Sequence, residues 1–183
     1  MQHLQVLEER LQQLCENQEA FSDKLQQIEA HQVYGISVPE QELINTFFPK
    51  ATIRHYGSTL IDNILQYKTN SAQLYIHIQD KSMDILFYNK KGLQLFNSFK
   101  HQSAEDFIYY TLFVCEQLEL NTDEIDCCLL GEVDKSSSIY DLAYKYIRNI
   151  RFIKRNENVQ LSPVINQIPE HFYYPLLHQH LCV

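Results

Sequence analysis

Between Ala72 and Glu132 the chain reads AQLYIHIQDKSMDILFYNKKGLQLFNSFKHQSAEDFIYYTLFVCEQLELNTDEIDCCLLGE, and this stretch decides the fold. Its first part alternates in Leu74-Tyr75-Ile76-His77-Ile78, a pattern typical of β-strands. Two further apolar segments, Ile85–Tyr88 and Leu93–Phe99, lie on either side of a turn signal at Gly92. The spacing predicts three antiparallel strands in a meander.

A long helix and a buried strand are predicted after the meander. Ser103 supplies a hydroxyl N-cap, and acids follow it at Glu105 and Asp106, as at the start of many helices. Apolar residues nearly encircle the segment from Phe107 to Leu118, so we expect a buried helix. The run from Cys127 to Leu130 is continuously apolar, which predicts a strand covered on both faces.

The order of the predicted elements indicates a repeated unit. A helix through Ile139–Ile147 and a strand at Ile150–Ile153 complete the order β-β-β-α-β-α-β from residue 71 onward. The earlier part gives α-β-α-β-α, which is the same order without its meander. Its elements are a helix at Leu4–Ile28, a strand at Val33–Val38, a helix after Pro39, a strand at Ala51–His55 and a helix at Thr59–Tyr67. We therefore predict an α/β protein with a mixed sheet, in which residues 1–70 form a truncated first lobe and residues 71–183 a complete second lobe with a docked tail.

The amino-terminal helix allows two interpretations. Its apolar residues keep a 3-4 spacing from Leu4 to Ile28, interrupted at Gln18. Such a helix either forms a coiled-coil arm that makes a homodimer or lies on its own domain.

Composition limits the classes of protein to which this chain can belong. The chain has 183 residues, 45% hydrophobic and 12% aromatic, which is typical of a globular protein. No apolar run approaches the roughly 20 residues that span a bilayer, and no signal-peptide pattern opens the chain. Five cysteines without CxxC pairs fit reduced thiols, and Cys115, Cys127 and Cys128 lie in apolar runs. We therefore expect a cytoplasmic protein that does not bind membranes.

The chain has a formal net charge of −8, but one segment of it is basic. Its cations occur without an acid and are interleaved with Tyr146 and Phe152; they are Lys145, Arg148, Arg151, Lys154 and Arg155. Cations mixed with stacking surfaces are typical of nucleic-acid binding, although a solvated helix end followed by an edge strand would look the same.

The element order resembles the ribonuclease-H-like half domain, two of which make the actin-like fold. More specifically, Glu105-Asp106-Phe107-Ile108-Tyr109-Tyr110, Leu130-Gly131-Glu132 and Lys145 to Ile150 resemble the bacterial domain-of-unknown-function family 3822. The tail from Ile168 to Tyr173 and Cys182 are similar to that family's tail, and the resemblance covers residues 31–183. It implies an actin-like fold without an assigned activity. It also implies an amino-terminal segment that this chain lacks, so we expect an incomplete first lobe.

The resemblance implies which positions would form an ATP site, and this chain has other residue types at most of them. Active actin-like ATPases hold phosphates in hairpins of the type Asp-x-Gly-x-x-x-Thr, where glycine admits the anion and aspartate orients Mg²⁺. Here His77 stands at the aspartate position, Gln79 stands at the glycine position, and only Ser82 keeps the chemical type. Active actin-like ATPases have paired glycines after the buried strand. This chain has Gly131-Glu132 there, which puts a carboxylate where a nucleotide would approach. We expect no hydrolysis and no cofactor.

Two metal sites can be considered. A ribonuclease-H-like nuclease needs converging carboxylates, and the candidates are Asp80, Asp106, and Glu132 or Asp134. Asp80 falls in a turn and Asp106 suits the first helical turn, so we expect structural roles and no metal.

The second candidate is a zinc site in the tail. His178, His180 and Cys182 alternate, with His171 nearby, but no second ligand pair accompanies them. We therefore expect these residues to belong to a docked tail and to bind no metal. The sequence thus predicts a non-catalytic actin-like protein that binds another protein, with a nucleic-acid-associated protein or a non-hydrolysing nucleotide sensor as alternatives.

Overall fold

The structure is a computed structural model that describes residues 18–67, 71–155, 162–163 and 165–179. The chain divides into two compact units, one of residues 1–68 with 178–183 and the other of residues 69–177. Within the described ranges, no helix has the length and apolar character needed to cross a membrane.

The first unit contains a two-stranded hairpin followed by two helices. Its elements are β1 Gln18–Lys24, β2 His31–Ser37, α1 Val38–Phe47 and α2 Tyr56–Gln66. The strands β1 and β2 are antiparallel and pair over their full length, from Gln18 with Ser37 to Lys24 with His31. Helix α1 begins with a capping box between Ser37 and Glu40 and has no buried residue, whereas 9 of the 11 residues of α2 are buried.

The predicted helix over Leu4–Ile28 is wrong for residues 18–28, and residues 1–17 lie outside the described ranges. Phe21 occupies the middle of β1, where its ring stacks on Tyr34 of β2 at a centroid distance of 5.9 Å. Cross-strand pairs of this kind stabilise a strand even where the apolar residues of the sequence have a helical spacing. The 3-4 spacing was therefore a misleading signal in this part of the chain.

The strand predicted at Ala51–His55 is also wrong, because this segment belongs to neither sheet. Instead of a neighbouring strand, the carboxylate of Asp23 accepts a hydrogen bond from the backbone N–H of His55 at 2.8 Å. The same carboxylate accepts from the hydroxyl of Ser58 at 2.7 Å. The half-buried side chain of Asp23 thus accepts from a backbone N–H that a β-ladder would otherwise pair.

The second unit is a five-stranded mixed sheet with two long helices. Its elements are β3 Gln73–Ile78, β4 Ser82–Asn89, β5 Gly92–Lys100, α3 Ala104–Gln117, β6 Asp126–Gly131, α4 Ser138–Tyr146, β7 Asn149–Phe152, a 3₁₀ turn Ile165–Gln167 and α5 Tyr174–Leu177. The strand order is β5-β4-β3-β6-β7. The meander is antiparallel, while β3, β6 and β7 are parallel. The predicted order β-β-β-α-β-α-β is confirmed.

Both faces of this sheet are buried. Ile76, Ile85 and Leu129 belong to a core cluster that also contains Phe107 of α3 and Ala143 of α4. The opposite face carries side chains that are equally hidden from solvent, and these are Tyr75, His77, Leu86, Tyr88, Cys128 and Leu130. The side chains on both faces of the sheet are thus removed from solvent.

Helix α3 is not buried all round, contrary to the prediction. Phe107, Thr111 and Val114 are buried, but the side chains of Tyr109 and Phe113 are 63% and 43% exposed. The aromatic residues made the apolar surface of this helix look continuous in sequence. Only the side toward the sheet is covered.

The three cysteines predicted as core thiols are free and buried. Burial raises the pKa of the Cys115 thiol to about 11 and that of Cys128 to about 12. Neutral thiols are poor nucleophiles, so these residues act as packing groups.

Candidate functional site

The carboxyl ends of the parallel strands β3 and β6 form the edge of the sheet where an α/β fold usually binds ligands. Ile78 ends β3 and Gly131 ends β6, and the two residues are register partners. Four of the predicted site residues lie at or just after these strand ends, namely Gln79, Ser82, Gly131 and Glu132. We refer to this region as the carboxyl edge.

The β3–β4 hairpin has a tight tip without glycine. The backbone N–H of Gln79 donates to the carbonyl of Ser82 at 2.9 Å, which leaves Asp80 and Lys81 at the turn. The side-chain amide of Gln79 donates to a carboxylate oxygen of Asp84 at 3.3 Å. The Gln79 side chain therefore helps to hold the two strands of the hairpin together.

A buried carboxylate faces His77 across the hairpin. His77 and Asp84 are register partners, and His77 Nδ1 lies 3.0 Å from Asp84 Oδ2. The hydroxyl of Ser98 on β5 donates to Asp84 Oδ1 at 2.5 Å. His77 and Asp84 are both buried, so the cluster ties three strands together through polar side chains.

Gly131 permits the closest approach between β3 and β6. Its φ is +95°, and a Cβ atom at this position would lie 2.0 Å from the carbonyl oxygen of Ile78. That carbonyl accepts a hydrogen bond from the N–H of Glu132 at 2.8 Å. The close approach of the Ile78 carbonyl and the positive φ therefore explain why this residue is glycine, and the Glu132 side chain is exposed.

The tail of the chain occupies the carboxyl edge. The N–H of Gly131 donates to the carbonyl of His171 at 2.8 Å, and His171 Nε2 lies 2.6 Å from the carbonyl oxygen of Val133. Because a carbonyl can only accept, Nε2 carries the proton. The His171 ring also stacks on Phe152 of β7, with 4.1 Å between the centroids. Burial lowers the pKa of His171, which keeps the ring neutral.

The nuclease candidates have separate local roles. Asp80 is exposed at the hairpin tip, and Asp106 accepts a hydrogen bond from the N–H of Gln102 at 2.9 Å, near the start of α3. Asp134 accepts from the hydroxyl of Ser136 and from the backbone N–H of Ser136, the latter at 2.7 Å, and these two bonds lower its pKa.

The zinc candidates are only partly within the described residues. His180 and Cys182 lie outside them, whereas His171 and His178 are buried. In the part of the chain that the structure describes, no three His, Cys, Asp or Glu side chains are placed to share a metal ion.

The five cations of the basic segment divide into two groups. The Arg151 guanidinium donates to Cys128 Sγ at 3.1 Å and to Gln73 Oε1 at 3.3 Å, and Arg155 donates to the carbonyl of Ile168 at 3.2 Å. These two arginines hold the fold together. Within the described ranges the side chains of the other three make no hydrogen bond or ion pair, and all three are exposed, namely Lys145, Arg148 and Lys154.

Sequence reasoning missed Asp84, Ser98 and Gln73, and it gave His171 only a doubtful metal role. The apolar pattern predicts a strand only from Ile85, whereas β4 begins at Ser82 and includes Asp84. Counting the hairpin register from a two-residue tip would have placed Asp84 opposite His77. Nothing local in the sequence indicates that His171 reaches Gly131.

Comparison with solved structures defines the class of protein. The fold is similar to that of a Bacteroides thetaiotaomicron protein described as having an actin-like ATPase fold and unknown function, with a TM-score of 0.77 and 22% sequence identity. The alignment covers 100% of this chain and 66% of that chain. The protein thus has an actin-like fold.

The family described as "Protein of unknown function (DUF3822)" matches residues 3–150. This match covers more than half of the chain, which therefore belongs to that family. None of the curated proteins matches the chain.

Proposed function

We propose that this chain is a non-catalytic actin-like protein that acts by binding another protein. The observation that carries the first half of the proposal is the hydrogen bond from the Gly131 N–H to the His171 carbonyl. Backbone N–H groups at such an edge are the donors that hold anionic ligands in open α/β folds. Here the chain's own tail accepts from that donor.

The β3–β4 hairpin supports the same conclusion. A Mg²⁺-orienting carboxylate is expected at the position of His77, and an imidazole cannot replace it as a ligand for this hard cation. The nearby carboxylate of Asp84 is buried and already accepts hydrogen bonds from Ser98 and Gln79. Binding of a metal would have to break these bonds.

The protein-binding half of the proposal is supported by helix α1. Leu43 and Phe47 follow one another at helical spacing, and the next residue is Phe48. Their side chains are 60%, 67% and 66% exposed. Contiguous exposed apolar side chains often mark protein interaction sites.

Phosphate release by purified protein in Mg-ATP tests the catalytic part. We expect no release above the protein-free rate, and turnover that co-purifies with the protein through several columns would refute this part of the proposal.

Affinity capture from extracts of the source organism tests the binding part. The L43E/F47E variant should lose a partner that the wild-type chain retains, and the purified partner should show the same loss. The E42K/N45K variant is a matched control, because it changes exposed polar positions of the same helix. Equal capture by all three chains would exclude α1 as the binding surface.

A further inference from the structure

The helices α3 and α4 form one outer layer of the second unit. Residues of both helices pack in the same core cluster on one face of the sheet. Helix α3 precedes β6, and α4 connects β6 to the parallel strand β7, so both helices run opposite to β6. Their carboxyl-terminal ends therefore lie at the same end of the layer.

This layer presents ordered aromatic rings to solvent. Tyr109 and Phe113 lie one turn apart on α3 and stack with 6.4 Å between their centroids. On α4, Tyr144 stacks on Tyr140 with 6.0 Å between the centroids and is 65% exposed. Stacking between neighbouring turns fixes these rings before any partner binds, which lowers the entropic cost of association.

The ends of the two helices carry opposite charges. Glu116 and Glu119 lie at the end of α3, and Lys145 and Arg148 lie at the end of α4, all exposed. Lys145 lies over the ring of Tyr146 at 5.4 Å. None of these four groups has an ion-pair partner within the described ranges.

We infer that the α3–α4 layer binds a second copy of this chain. A twofold axis parallel to the helices places α3 of one subunit on α4 of the other and brings their carboxyl-terminal ends together. Phe113 then meets Tyr144 of the partner subunit, and Glu116 meets Lys145 of the partner subunit. The symmetry makes each contact twice, so the surface is complementary to itself.

The size of the layer limits the area that the dimer can bury. Helices of 14 and 9 residues are about 21 and about 14 Å long, and packed helices lie about 10 Å apart. The layer thus offers on the order of 400 Å² in projection, which is less than the roughly 800 Å² per partner of a standard interface. We expect a weak dimer, with a dissociation constant of about 10–100 µM.

This inference goes beyond the proposed function, because it uses neither the carboxyl edge nor helix α1. A dimer can form whether or not a different protein binds α1. A result that excludes the dimer would not refute the proposed function. A result that refutes the proposed function would not exclude the dimer.

Sedimentation velocity across a range of about 5–500 µM tests the dimer, because this range brackets the expected dissociation constant. The wild-type chain should shift from monomer to dimer within it. E116K and K145E should each weaken association about tenfold, since each places like charges together twice. The double variant E116K/K145E should restore association, which a merely misfolded chain would not do.

Three further variants complete the experiment. F113S/Y144S should remain monomeric, while E42K and K90E reverse exposed charges elsewhere and should associate like the wild type. A wild-type chain that stays monomeric over the whole concentration range would overturn the inference. A dimer whose association is unchanged by E116K and K145E would also overturn it. So would a labelled single-stranded RNA that binds the monomer and is lost in K145E while dimerisation stays unchanged.

Discussion

The backbone N–H of Gly131 donates a 2.8 Å hydrogen bond to the carbonyl oxygen of His171, 40 residues later in the chain. The His171 ring then reaches the carbonyl of Val133, so the tail is held on both sides of Glu132. The tail therefore lies against the carboxyl end of β6. The same edge is the usual ligand-binding edge of an open α/β fold.

Replacing Gly131 by alanine should destabilise the protein by about 3 kcal/mol, because the new methyl group meets the Ile78 carbonyl and the backbone has positive φ. Gly92→Ala is the matched control. Gly92 also has positive φ, at +102°, but a Cβ atom there meets nothing within 4 Å. We expect a loss of only about 1 kcal/mol for this control. Urea denaturation measures both values, and equal losses would show that the β3–β6 approach is not tight.

The stability of the tail contacts should depend on pH through His171. Burial lowers its pKa in the folded state below the ordinary value of 6.5, so the unfolded chain binds the proton more tightly. The contribution of the neutral ring is complete above about pH 6.5 and declines as the pH falls toward the folded pKa. Below that pKa the decline should level off.

The H171Q variant isolates this effect from the other histidines. Its amide can still donate to the Val133 carbonyl but does not titrate. The difference in unfolding free energy between the two chains should narrow from pH 7.5 to 5. A difference that stays constant with pH would mean that His171 does not remain neutral on folding.

Asp84→Ala should cost about 3 kcal/mol, because it leaves the buried ring of His77 and the Ser98 hydroxyl without this acceptor. Asp80→Ala, at the exposed tip of the same hairpin, should change stability by less than about 0.5 kcal/mol. Both can be measured by chemical denaturation. A small effect at Asp84 would show that water replaces the carboxylate.

Within the basic segment, Arg151→Ala should destabilise the fold by about 1 kcal/mol, while Arg148→Ala should be neutral within about 0.5 kcal/mol. Arg151 donates to Cys128 and Gln73, whereas the side chain of Arg148 is exposed. Thermal denaturation of both variants distinguishes them. Identical melting temperatures would refute a structural role for Arg151.

The sequence predicted the second unit well for physical reasons. Alternation in β3, the Gly92 turn signal and the Ser103 cap each act over a few residues, and all agree with the final fold. The first unit was harder. Phe21 has helical spacing to Leu25 and Ile28, but its partner in the fold is Tyr34 on β2. Pairing between distant segments leaves no local pattern.

The site was predictable only in part, for the same reason. The type of residue at His77 and Gln79 could be read from the chain, as could the glycine at position 131. The role of that glycine could not, because it depends on Ile78 and on a tail residue. Asp84 gains its role from the hairpin register, which a correct turn assignment would have given, whereas His171 gains its role from docking of the tail, which no local pattern encodes.

The central claim is that the carboxyl edge is occupied by the chain's own tail and leaves no nucleotide site. Isothermal titration of the purified wild-type chain with Mg-ATP, with Mg-ADP as a comparison, tests it most directly. We predict no binding heat up to millimolar nucleotide. Saturable binding at micromolar concentration would contradict the claim and would favour a nucleotide sensor in which the tail is displaced.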